Sequence, residues 1–65
     1  MIDLFTEDEV ARAKRLVARN PLNAHPYIRE EIVTDEVMKR IDETTGQAND
    51  RNYMAYRLEH LAYGR

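Results

Sequence analysis

The chain has 65 residues, a formal net charge of −2 and a sequence pI near 5.6, and 34% of its residues are charged while 43% are hydrophobic. This size and balance predict a single folded domain, residues 1–65, and exclude a disordered chain. The apolar stretches are too short for a membrane span, and the first residues lack the features of a signal peptide, so we expect a cytoplasmic protein.

The composition also limits how such a small domain is stabilised. The chain has no cysteine, which excludes disulfides and thiolate zinc sites as supplements to a small core. Association with a partner is the remaining way to bury more area. The negative net charge argues against a nonspecific binder of polyanions, since such proteins usually carry a basic excess.

The first helix has the clearest boundary signal in the chain. Residues 6–9 (TEDE) have the pattern of a capping box, with Phe5 and Val10 placed for a hydrophobic staple. We expect a helix over residues 7–19, ended by Asn20 and Pro21. Its predicted buried stripe is Val10, Ala13, Leu16 and Val17. A charged stripe beside it, interpreted as solvated and partly self-paired, is Asp8, Arg12, Arg15 and Arg19.

The middle of the chain shows a change of helical phase. Pro26 fits the first turn of a second helix. On a helical projection, Ile28 and Ile32 lie on one side, whereas the next apolar residues, from Val33 onward, lie on a different side. We therefore predict a short helix over residues 26–33 and a new start capped by Thr34. One continuous helix over residues 26–45, buried on two sides, is the alternative. Gly46 is the expected left-handed cap that ends this region.

The last helix is predicted to begin at a cap formed by Asn49 or Asp50, to run to about Tyr63 and to stop at Gly64. The predicted fold is therefore all-α, a compact bundle of three or four helices. The predicted core is Phe5, Val10, Ala13, Leu16, Val17, Ile28, Ile32, Val37, Ile41, Met54, Leu58 and Leu61.

The sequence offers little for catalysis. It contains no cysteine and no serine, both glycines are placed as helix caps, and neither His25 nor His60 has a second ligand at metal-binding spacing. Neighbouring acids such as Asp35 and Glu36 point in different directions on a helix. We therefore expect no catalytic residues, no metal site and no cofactor.

The last helix carries a second face that a small bundle does not need for its own packing. At about 100° per residue, this face gathers aromatic and hydrogen-bonding side chains opposite the predicted core side. They are Asn49, Asn52, Tyr53, Tyr56, His60 and Tyr63, with Arg57 beside them. Tyrosine, arginine and histidine without lysine are typical of protein contact surfaces. The alternative is that the tyrosines pack within the chain against Tyr27, Leu22 or Phe5.

These residues predict a noncatalytic interaction protein, such as a small accessory subunit, adaptor or inhibitor, that docks its C-terminal helix onto a larger protein. A phage or mobile-element inhibitor of a host complex would fit the size and the lack of catalytic groups. Self-association as a homodimer would satisfy the same surface pattern.

A different function follows from a resemblance in the second half of the chain. Residues 33–64 resemble the second and third helices of a helix-turn-helix, with residues 34–41 as the first helix, residues 45–47 as the turn and residues 49–63 as the reading helix. Residues 57–61 followed by Gly64 are similar to the end of a winged-helix recognition helix. The resemblance implies a dimeric DNA-binding regulator that reads bases with exposed Asn49, Arg51, Asn52, Tyr53 and Tyr56. Asp50 and Glu59 lie on the reading helix, where their negative charges would repel DNA phosphates. We therefore expect DNA less than a protein as the partner.

Overall fold

Four helices make up most of the computed structural model, which describes residues 4–64. They are α1 (Glu7–Arg19), α2 (Ala24–Glu31), α3 (Asp35–Thr45) and α4 (Arg51–Ala62). No strand occurs among the residues described. The predicted all-α class and the number of helices are confirmed.

Helix α1 begins and ends where the local sequence chemistry predicts. The Thr6 backbone N–H donates to Glu9 Oε1 at 2.9 Å, and the Glu9 backbone N–H donates to Thr6 Oγ1 at 3.2 Å. These two bonds complete the capping box and satisfy N–H groups that have no partner within the helix. The Asn20 N–H donates to the Leu16 carbonyl at 2.8 Å and closes the other end.

The change of phase in the middle of the chain corresponds to a real break. Helix α2 ends at Glu31, and Thr34 Oγ1 accepts the Val37 N–H at 3.3 Å to start α3. The break allows Ile32 and Val33 to be buried together although they face different ways on one projection. The two-helix prediction is confirmed and the continuous helix is wrong. Helix α2 starts at Ala24, earlier than predicted, and Pro26 still lies in its first turn, where no backbone donor is needed.

The ends of α3 and α4 also follow local chemistry. Gly46 caps α3 with a φ of 68°, a conformation that glycine adopts without steric cost. Asp50, one of the two predicted caps of α4, accepts the Tyr53 N–H through Oδ1 at 3.0 Å. Helix α4 ends at Ala62, and Gly64 follows with a φ of 76°.

Helix α4 is the centre of the bundle. It packs against both α1 and α2, which also contact each other, whereas α3 has no comparably extensive backbone contact with another of the four helices. All buried side chains of the described residues are hydrophobic. The largest fully buried ones come from three helices and the α2–α3 connection: Ile28, Ile32, Val33, Ile41, Met54 and Leu58.

The predicted core is confirmed with one clear exception. Val10 and Val37 are only partly buried but pack against the core. Leu61, predicted as core, is 42% exposed. It lies at the margin of the buried face of α4, beside a groove of about 300 Å³ that Phe5 and Val10 also line, so one side of its side chain stays open. Core residues absent from the prediction are Leu4, Ala24, Val33 and Ala55.

Helix α3 is joined to the bundle by Ile41, by the partly buried Val37 and Met38, which pack against the core, and by two arginines. Ile41 is fully buried. Arg40 Nη2 donates to Glu9 Oε1 at 2.7 Å and to the Leu4 carbonyl at 3.2 Å. Just before α3 begins, the Val33 carbonyl accepts a hydrogen bond from Arg51 Nε of α4 at 2.6 Å. Both arginines therefore add polar links between segments whose side chains also meet in the hydrophobic core.

Candidate interaction surface

The outer side of α4 is a surface of half-exposed aromatic rings. We call it the tyrosine face and define it as Asn49, Asn52, Tyr53, Tyr56, His60 and Tyr63. The tyrosine side chains retain 44%, 51% and 47% exposure at positions 53, 56 and 63, while Met54, Ala55 and Leu58 on the opposite side are buried. Because α4 is central and packs through that opposite side, the rings remain at the surface of the chain.

The middle of the tyrosine face is a cluster of three rings. His60 lies edge-on to Tyr56, with ring centroids 4.4 Å apart and an interplanar angle of 70°. His25 of α2 lies on Tyr56 as well, at 6.1 Å and 57°. Tilted pairs of this kind hold an aromatic ring in a preferred orientation. Both histidines of the chain thus orient Tyr56 without burying it.

At its C-terminal end the tyrosine face meets the loop between α1 and α2. The Tyr63 hydroxyl donates to the Pro21 carbonyl at 3.3 Å. Leu22, the next residue, is 93% exposed and lies in a turn closed by a bond from the Asn23 N–H to the Asn20 carbonyl at 3.1 Å. An almost fully exposed leucine on an ordered turn therefore adjoins the aromatic rings.

Polar groups surround the aromatic rings. Arg29 of α2 donates through Nη1 to Asn52 Oδ1 at 2.8 Å. The Arg57 guanidinium lies 5.9 Å from the centroid of the Tyr53 ring, within the range of a cation–π contact. Asn49 is exposed just before the cap of α4. The predicted partner-binding residues are all placed at the surface, with tyrosines inside a polar margin.

Two residues of this region were not predicted as part of the site. His25 was considered only as a metal ligand without a partner, and Leu22 only in the alternative in which the tyrosines pack within the chain. Leu22 covers nothing, because the turn directs it away from the bundle, as its exposure shows. Neither residue lies on the periodic pattern of α4, so helical spacing could not place them beside Tyr56 or Tyr63.

The geometry of α3 and α4 departs from what the helix-turn-helix resemblance implies. Such a pair packs its two helices on each other, but α4 packs against α1 and α2 and has no comparable contact with α3. Two side chains expected to read bases have partners within the chain. Arg51 donates to the Val33 carbonyl, and Asn52 accepts from Arg29.

No grouping of three or more histidine, aspartate or glutamate side chains suited to a metal ion occurs within residues 4–64. Over the same part of the chain, every helix is too short or too polar to cross a membrane.

Comparison of the chain with protein-family models, with curated proteins and with solved structures finds no match in any of the three. The tyrosine face and the residues around it are therefore the basis for a functional proposal.

Proposed function

We propose that this protein is a noncatalytic interaction module that docks its tyrosine face onto a larger protein, as an accessory subunit, adaptor or inhibitor. The observation that supports this function is the pairing of a fully buried aliphatic side of α4 with half-exposed tyrosines on its outer side. Tyrosine and arginine are enriched among the residues that dominate the binding energy of protein contacts, and lysine is depleted at such surfaces.

The cluster around Tyr56 favours binding because the ring is already oriented. A tyrosine has few side-chain torsions to fix, so it offers a large contact area at a low entropic cost. His25 and His60 restrict the ring further, because their ring centroids lie 6.1 and 4.4 Å from the centroid of the Tyr56 ring. Association then loses less conformational freedom at the interface, which leaves more of the contact energy as affinity.

The shape of the surface indicates the complementary features of the partner. Leu22 stands at the edge of the rings and fits an apolar pocket of roughly one side chain. Asn49 and Arg57 at the margin supply hydrogen bonds to polar groups of the partner. A partner surface with an apolar depression surrounded by acceptors matches this arrangement.

The experiment that tests this function is affinity capture from a lysate of the organism that encodes the protein, with and without nuclease. The variants compared are wild type, a Tyr53→Ala/Tyr56→Ala double variant and a Lys39→Ala control. Lys39 lies on α3 with a largely exposed side chain whose one ion pair, to Glu43, spans 4.0 Å. We expect a protein that wild type and the control retain, that the double variant loses, and that nuclease does not release.

Three outcomes would contradict the proposal. The double variant could retain the same protein as wild type, or the retained material could depend on nucleic acid, which would favour DNA binding. Alternatively, wild type could retain only copies of itself, and sedimentation would then show a dimer. Arg40→Ala is not a suitable control here, because Arg40 bonds to Glu9 and the Leu4 carbonyl and its loss affects the fold.

A further inference from the structure

Helix α1 carries three exposed arginines along one side, Arg12, Arg15 and Arg19. None of them forms an ion pair with a carboxylate of residues 4–64, whereas Arg29, Lys39, Arg40 and Arg51 on the other helices each do. The self-pairing predicted for this stripe, with Asp8 as the acid, is not formed. The guanidinium groups on this side of α1 are therefore not paired with a carboxylate.

The three arginines line a cleft between α1 and the end of α2. The cleft has a volume of about 120 Å³, and its other lining residues are Leu16, Glu31 and Ile32. Arg12 Nη2 donates to the Glu31 backbone carbonyl at 3.1 Å, which fixes this guanidinium at the cleft. The hydrogen-bond donors of Arg15 and Arg19 have no partner among the side chains and backbone of residues 4–64. The cleft thus combines a small apolar base with several uncommitted donors.

This arrangement is unfavourable for the isolated chain. Arg12 and Arg15 are three residues apart, and Arg15 and Arg19 are four apart, the spacings at which side chains of a helix are neighbours and like charges repel. The negative end of the α1 dipole favours Arg19 in the last turn, and the negative end of α2 favours Arg12, which bonds to the Glu31 carbonyl. Arg15 has neither contribution. A carboxylate placed between the guanidinium groups would remove the repulsion and form paired, charge-assisted hydrogen bonds.

From the unpaired guanidinium groups and the cleft that they line, which we call the arginine cleft, we infer that this cleft binds an acidic segment of a partner protein. The arginines extend over roughly 10 Å of helix at 1.5 Å per residue. An extended peptide advances about 3.3 Å per residue, so about three residues of the partner span the site. Two acidic side chains on such a segment match the available donors.

Charge and size favour an acidic peptide over a nucleic acid. A duplex-binding protein neutralises many phosphates along a continuous basic surface. This chain has a net charge of −2, and the basic surface at the cleft is limited to three arginines on one side of α1. The short site is complementary to a few carboxylates, and electrostatic matching of this kind speeds association and sets the orientation of a complex.

The test is a nuclear magnetic resonance titration of the ¹⁵N-labelled full chain with a hexaglutamate peptide blocked at both ends, at low ionic strength. We expect chemical shift changes confined to α1 and the end of α2. Arg15→Gln weakens the interaction severalfold, Arg15→Glu abolishes it, and Arg57→Gln, a matched control on α4, leaves it unchanged. The Tyr53→Ala/Tyr56→Ala double variant binds the peptide as wild type does, since the arginine cleft is independent of the proposed function.

Several results would overturn the inference. They are an absence of shifts with the peptide, equal binding by Arg15→Gln and wild type, or tighter binding of a short DNA duplex to the same amides. The thermal midpoint of Arg15→Gln is measured alongside, and we expect it to equal or exceed that of wild type. A lower midpoint would mean that Arg15 stabilises the fold, and would overturn the inference as well.

Discussion

The two sides of α4 differ in what they do for the molecule. The inner side presents Met54, Ala55 and Leu58, which are buried between α1 and α2, whereas the outer side presents Tyr53 and Tyr56, which remain about half exposed. Tyrosine makes this division possible because its ring is apolar enough to bind and its hydroxyl is polar enough to remain in water. In the proposed function, one helix stabilises the domain with one set of side chains and recognises a partner with another.

The strongest test of this comparison removes an inner side chain. Leu58→Ala creates a cavity at a fully buried position, so we expect the free energy of unfolding to fall by about 2–5 kcal/mol. A loss of that size is a large part of the stability of a small domain. Urea unfolding followed by circular dichroism measures it. Leu22→Ala is the matched control, because the same atoms are removed from an exposed site. Equal losses of unfolding free energy in the two variants would contradict the assignment of Leu58 to the stabilising inner side.

The second test removes an outer side chain. For Tyr56→Ala we expect binding to the captured partner to weaken by about 2 kcal/mol, as truncation of a central aromatic residue often does. Calorimetry measures the affinity and circular dichroism the helix content, which we expect to equal that of wild type. Lys39→Ala is expected to bind normally. A loss of helix content would show that Tyr56 belongs to the core, and a steep fall of affinity with salt would favour DNA.

The smallest expected effect concerns the contact between Tyr63, at the end of the tyrosine face, and the loop between α1 and α2. Tyr63→Phe removes the hydrogen bond to the Pro21 carbonyl, so we expect the free energy of unfolding to fall by about 0.5–1 kcal/mol. Thermal unfolding of both proteins gives the difference. Tyr27→Phe is the control, because the Tyr27 hydroxyl has no hydrogen-bond partner within residues 4–64. If both variants were equally stable, the bond from Tyr63 would contribute nothing to holding the loop.

Much of the helical architecture was predictable because it depends on local chemistry. Thr6 and Glu9 cap each other within a single turn, and Gly46 supplies the one left-handed residue that ends α3. Leu61 was predicted wrongly for a physical reason. Helical rotation gives the direction of a side chain but not the position of the neighbouring helix, and α1 leaves one side of Leu61 uncovered.

The candidate surface was predictable only in part. Rotation along α4 was enough to group Tyr53, Tyr56 and Tyr63, since all three belong to one helix. The contact of Tyr56 with His25 depends on how α2 lies against α4, which a single sequence does not reveal. The protruding Leu22 depends on a turn without any periodic pattern, so its exposure also required the tertiary structure.

The sparse attachment of α3 has a consequence for the motions of the domain. Opening of α3 alone breaks the bonds of Arg40 and the core contacts of Ile41, Val37 and Met38 but leaves α1, α2 and α4 packed, so it requires less free energy than global unfolding. The backbone amides of α3 will then exchange with deuterium before those of the other helices. A partner that binds α4 meets the same aromatic surface in both the closed and the opened form.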